Sequence, residues 1–227
     1  FCISVIGNLD LDVAADRLTE ALAQFATVEL PPPRGPDSPP KEAREQYLPA
    51  DKEQAHIVLG AMTTTLYDPE RYALELLAAV LSGQGGRLFI DLRDRRALAY
   101  SLSAANVEGL DPGYFYTYLA CAKDKSALAI TELHAHLDRL LDEPVSQVEL
   151  ERAQRYLIGS HAIDLQRLGA RAMLMALGET YGQGYDDYTQ YPKRVSAVTR
   201  LDLKNAAERY LAPHQRVLAV VGAQPCG

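Results

Sequence analysis

The sequence predicts an α+β fold, on three observations. Residues 97–122 hold two strand-like runs joined by the turn "LDPG" (110–113), the pattern of an antiparallel pair. Apolar stripes at helical spacing flank that pair: Leu74, Leu77 and Leu81 before it, and Leu133, Leu137, Leu140 and Leu141 after it. Two further apolar runs, "QAHIVLGAM" (54–62) and "RVLAVVG" (216–222), read as strands, with long helical stretches between.

The elements follow in order. "ISVI" (3–6) reads as a short strand, Gly7-Asn8 as a turn, and 12–26 as an amphipathic helix. "LPPPRGPDSPPK" (30–41) holds six of the thirteen prolines and predicts an extended, semi-rigid linker. After the 54–62 strand, Asp68 and Pro69 supply an N-cap and a first-turn proline for a helix. "SGQGG" (82–86) stops that helix, and a second short one starts near Arg87. From Ala97 the period is two, with Leu98, Tyr100 and Leu102 on one side and Ala99, Ser101 and Ser103 on the other. "YFYTYLACA" (114–122) is the partner strand, and a helix covers 125–141. Ser146 and Glu149 form a capping-box pattern opening a longer helical stretch, with breaks expected near Gly169 or Gly178. Thr199 and Asp202 mark another helix start. "SVIG" (4–7) and "AVVG" (219–222) repeat a short apolar run ending in glycine, as a tandem duplication would.

Composition narrows the function classes. The 227 residues suffice for one large domain, or one domain and a piece of another. With 48% hydrophobic and 23% charged residues, a folded core is expected throughout. A net charge of −7 argues against nucleic acid or an anionic membrane and suits a basic partner or a neutral peptide. The longest apolar runs are strand-length, so no transmembrane segment is predicted. Residue 1 is Phe within a strand-like run and no signal peptide is visible, so the chain reads as a fragment or a processed product. Cys2, Cys121 and Cys226 are isolated and indicate neither a disulfide framework nor a zinc knuckle.

Metal-ligand spacing is poor. His134 and His136 are two apart on a predicted helix and point about 160° away from each other. Glu132 and His136 are four apart and share a face, but two ligands make a poor zinc site. Neither H-E-x-x-H nor its reversal H-x-x-E-H occurs, so no metal site is expected on this chain. "GQGGRLF" lacks the G-K-[ST] ending of a phosphate loop and reads as a helix cap and tight turn. No G-x-S-x-G elbow is present.

"DLRDRRALAY" (91–100) carries the candidate chemistry. Asp91 and Arg95 are four apart, so Asp91, Asp94, Arg95 and Arg96 read as a solvated helical face with exposed i,i+4 pairs. Arg93 at the helix end and Tyr100 in the following strand stand out from that cluster. Both donate hydrogen bonds, and together they suit a peptide carbonyl or a developing oxyanion.

These residues also carry a family likeness. "GGRLFIDLRDRRALAYSLSA" (85–104), with "YDPERYALELLAAVLSG" before it and "EPVSQVELERAQRYLIGS" after it, resembles the C-terminal half of zinc metallopeptidases of the pitrilysin, insulysin and mitochondrial processing peptidase family. The likeness runs over nearly the whole chain. Its most specific part is Arg87-Leu88-Phe89, Leu92-Arg93 and Leu98-Ala99-Tyr100. Many relatives have glycine at the place of Ala97, and alanine tolerates positive φ poorly.

The resemblance implies an antiparallel sheet with helices packed on one face, built as two related subdomains. Residues 1–29 would be the end of the N-terminal half, 30–46 the proline-rich linker, and 47–227 the non-catalytic C-terminal domain. It implies that zinc and its general base sit in a catalytic N-terminal half or homologous catalytic subunit, and that this chain holds neither metal nor catalytic residue. Arg93 and Tyr100 match the arginine and tyrosine that reach a peptide substrate near the scissile bond. Arg87 matches a residue with a structural role, a helix N-terminal salt link. Two functions stay open: the substrate-binding half of a zinc endopeptidase acting on peptides or small unfolded proteins, or an inactive scaffold or peptide-binding subunit of the same family.

Overall fold

The computed structural model of the chain describes residues 1–223 apart from 27, 30–34, 36 and 84. Its centre is a five-stranded sheet of β1 (Arg44–Leu48), β2 (Gln54–Met62), β3 (Ser101–Val107), β4 (Tyr114–Ala122) and β5 (Arg216–Val221). The spatial order is β1-β5-β2-β4-β3. Neighbours are antiparallel except β1 and β5, which run parallel, so the sheet is mixed at one edge. The β2–β4 ladder is unbroken from Gln54↔Ala122 to Met62↔Tyr114. Gly60 permits it, because a Cβ there would lie 2.4 Å from the Phe115 carbonyl oxygen.

Alternation along the strands decides which face is covered. Ala55, Ile57, Leu59 and Ala61 of β2 and Phe115 and Leu119 of β4 are buried, while Val58 between them is exposed. Helices α2 (Arg71–Leu81) and α3 (Ser126–Asp142) pack on the sheet, and α7 (Arg200–Tyr210) packs on both of them. Leu74, Leu76, Leu77 and Leu81 of α2 are wholly enclosed. Each such leucine contributes about 1.5–3 kcal/mol by leaving water.

Two expected helix starts are built as the sequence reads. Ser146 and Glu149 exchange hydrogen bonds at the head of α4 (Gln147–Asp164), as do Thr199 and Asp202 at the head of α7. Asp68 instead accepts from Glu70 N at 2.8 Å in a turn, and α2 starts at Arg71. The stretch after Ser146 breaks at 165–167, ahead of Gly169, whereas Gly178 stays inside α5 (Leu168–Thr180).

The chain falls into two compact units, 1–36 with 161–189 and 37–160 with 190–227. The first holds α1 (Leu11–Leu22), capped by the Asp10 carboxylate on Asp12 N and Val13 N, and α5. The expected strand at 3–6 is not formed. No strand among the described residues pairs with it, and a strand exists only through its ladder. The second unit holds the sheet. Its β1 begins at Arg44, inside the stretch 30–46 read as linker; residues 30–34 and 36 of that stretch lie outside the described residues.

A polar cluster is enclosed beside α2. Tyr191 Oη donates to Glu75 Oε2 at 2.6 Å, Arg71 pairs with Glu108, and the Arg71 and Arg194 guanidinium groups both donate to Tyr72 Oη. Burial, reinforced by the Glu108 carboxylate, pushes Glu75 up to about 8 from its ordinary 4.5. Glu75 is therefore protonated at neutral pH. A folded-state pKa above the unfolded one means stability is complete below about 4.5 and declines as pH rises toward 8. Glu75→Gln should flatten that decline in denaturant titrations between pH 5 and 8. An unchanged slope would place the protonated carboxyl elsewhere.

Candidate functional site

The segment 86–100 is built from an unusual helix. Gly86 makes the tight turn after α2, since a Cβ there would sit 2.1 Å from the Ser82 carbonyl oxygen. Helical backbone begins at Arg87 and widens into a π-helix, Phe89–Arg95, a form concentrated at functional sites. Leu88 and Leu92 are wholly buried and hold it to the core. Its end is closed by Leu98 N donating to Leu92 O at 2.8 Å, a Schellman-type bond lengthened by one residue.

Ala97 occupies the left-handed position of that closure. Its φ of 46° is the one positive value outside glycine among the described residues. Lys125 Nζ donates to its carbonyl at 3.1 Å. Alanine strains there where glycine does not, so Ala97→Gly should stabilise the fold by about 0.5–1 kcal/mol. Chemical denaturation measures it, and a destabilised variant would contradict the strained turn.

Arg93 lies on the π-helix and Tyr100 at the entrance to β3, where Tyr100 N donates to Ala120 O at 2.9 Å. Both side chains are exposed, Tyr100 to 66%. The Arg93 guanidinium rests 4.8 Å from the centre of the Phe89 ring. Neither side chain makes an ion pair or a side-chain hydrogen bond among the described residues, and no hydrogen bond joins the two. Leu98 and Ala99 are both buried and Tyr100 is exposed, so the alternation expected from Ala97 does not hold there, and the strand itself starts only at Ser101.

The neighbouring charges divide differently from the sequence expectation. Asp94 and Arg95 are exposed and make no ion pair among the described residues. Asp91 is largely shielded, and Arg96, though exposed, is not free; both bind α3. The π-helix turn is wider than four residues, so Asp91 meets Arg96, five positions on, at 3.5 Å instead of Arg95. His136 Nε2 donates to Asp91 Oδ2 at 3.1 Å, Arg139 approaches the same oxygen at 4.0 Å, and Arg96 donates to Glu132 at 2.5 Å. Burial, with the Arg139 charge beside it, holds the His136 imidazole below its ordinary pKa, so it is neutral. The i,i+4 spacing of Glu132 and His136 was legible in sequence, but its partner Asp91 was not.

Asp91, Glu132 and His136 bring three donor atoms within 4.8 Å of one another. The residues present do not fit zinc. The Arg96 guanidinium already binds both carboxylates, and a dication there would meet its positive charge at short range.

Arg87 makes the salt link expected of it. Its Nε and Nη2 donate to the two oxygens of Glu149, at 2.7 and 3.0 Å. Glu149 is also the residue that closes the capping box with Ser146. The Arg87 hydrogen bonds, with smaller help from the Ser146 backbone and hydroxyl, draw the Glu149 carboxyl down to about 2 against the opposing effect of partial burial.

A sequence model described as the Peptidase M16 inactive domain matches residues 1–157, and the chain belongs to that family. It is 26% identical over 227 residues to an uncharacterized zinc protease of Streptomyces coelicolor, covering 97% of this chain and 49% of that protein. Two solved structures share its fold at 18% identity and a TM-score of 0.86, each matching 97% of this chain. They are a protease from Helicobacter pylori, of which 54% is covered, and an M16 inactive domain from Pseudomonas fluorescens, of which 52% is covered. The chain spans about half the length of the curated relatives it matches. Among the described residues no helix is long and apolar enough to cross a membrane.

Proposed function

We propose that this chain is the substrate-binding half of a zinc endopeptidase acting on peptides or small unfolded proteins, with zinc and general base held by a catalytic half or subunit. The observation that carries the reading is the pair Arg93 and Tyr100. Both are exposed donors without an internal ion pair or side-chain hydrogen bond among the described residues, on a segment otherwise fastened to the core and to α3. A side chain held outward with its donors unspent suits a peptide carbonyl. On this reading zinc, held in the catalytic half, would supply Lewis-acid chemistry, while Tyr100 would donate a hydrogen bond to the scissile carbonyl oxygen and Arg93 would hold the substrate backbone. Arg87 and Glu149 serve the fold.

The alternative is an inactive scaffold or peptide-binding subunit; a pure scaffold has no need of the pair. Arg93→Lys in the complete protein separates the two, since lysine keeps the charge and loses the planar fork. Peptide turnover should fall at least about tenfold. A complete parent protein with no turnover would favour the scaffold, and a variant as fast as an active parent would remove Arg93 from substrate binding.

A further inference from the structure

We propose that Asp91 is the positioning residue for Arg93: its bond to His136 ties the π-helix to α3 and fixes the direction in which the guanidinium projects. The inference rests on the reading that Arg93 meets the substrate. Arg93 has little of its own to hold it. Among the described residues it makes no ion pair or side-chain hydrogen bond, and it rests on the Phe89 ring, which belongs to the same turn and moves with it. Its placement therefore follows the placement of the π-helix. Leu88 and Leu92 set how deeply that helix sits, but greasy contacts tolerate rotation about its axis. Directional bonds remove that freedom. His136 is 1% exposed and enclosed in the core, so the 3.1 Å bond to Asp91, two residues before Arg93, fastens the helix to a packed point on α3. Arg96 to Glu132 and Lys125 to the Ala97 carbonyl add two ties on the far side of Arg93, both to α3 or to the turn that opens it. A group displaced by about 1 Å can cost 10²-fold in turnover, so a brace of this kind has a kinetic consequence.

The test is a double-mutant cycle in the complete peptidase. Asp91→Ala should lower kcat about tenfold or more with KM within about twofold, and that factor should vanish in an Arg93→Ala background. Asp91→Asn keeps an acceptor for His136 and should retain kcat within about threefold. It also keeps the inference testable if Asp91→Ala folds poorly. The same loss from Asp91→Ala in both backgrounds, or no loss in either, overturns the inference while leaving the role of Arg93 intact. Equal losses from the Ala and Asn variants also overturn it. No loss from Arg93→Ala itself overturns the proposed function instead.

Discussion

Tyr100→Phe in the complete peptidase should lower kcat by about 10²–10³-fold, the effect of removing one donor from an oxyanion site. KM should change little, because the phenol ring remains and the lost hydrogen bond strengthens only as negative charge develops. The same substitution should leave stability within about 0.5 kcal/mol of the parent. The hydroxyl makes no hydrogen bond among the described residues and the side chain is 66% exposed, so folding does not depend on it. That separation distinguishes a substrate donor from a structural tyrosine such as Tyr191, whose hydroxyl is engaged by Glu75 at 2.6 Å. An unchanged kcat would remove Tyr100 from the chemistry.

Arg87→Ala is the converse case, a large loss of stability. The bidentate pair with Glu149 is largely shielded, its side chains 15% and 22% exposed. Drawing Glu149 from 4.5 to about 2 corresponds to a stabilisation on the order of 3 kcal/mol at neutral pH. Removing Arg87 should cost roughly 2–4 kcal/mol, because it also leaves a half-buried carboxylate unpaired. A depressed folded-state pKa gives stability that is present above about 4.5 and lost as pH falls toward 2. The parent should therefore lose stability steeply in that acid range, and Arg87→Ala should lose much less. Urea titrations at pH 7, 4 and 3 measure both, and parallel curves would show that the pair contributes little.

Sequence and structure agree most closely where the information is local. The 54–62 and 114–122 strands, the two capping boxes and the leucine stripes each depend on periodicity or on residues three apart, and they form as read. Long-range partners were out of reach. Glu149 was legible as a cap but not as the partner of Arg87, sixty-two positions away. Asp91 looked like half of an i,i+4 pair because the widening of the helix to a π form is not written in a charge pattern. The 3–6 run has strand composition, yet composition cannot supply the neighbouring strand. Arg93 and Tyr100 were singled out by likeness and donor chemistry. Phe89 beneath Arg93, and the ties from the 91–97 segment to α3, emerged only from the packing.

The central claim is that this half works beside a zinc ion it does not hold. Elemental analysis of the purified 227-residue chain, after dialysis against a mild chelator, tests it directly. The chain should carry well under one zinc, with no change in metal content on His136→Ala, since the Asp91, Glu132 and His136 group is filled by Arg96. One tightly held zinc per chain, lost on His136→Ala, would contradict it.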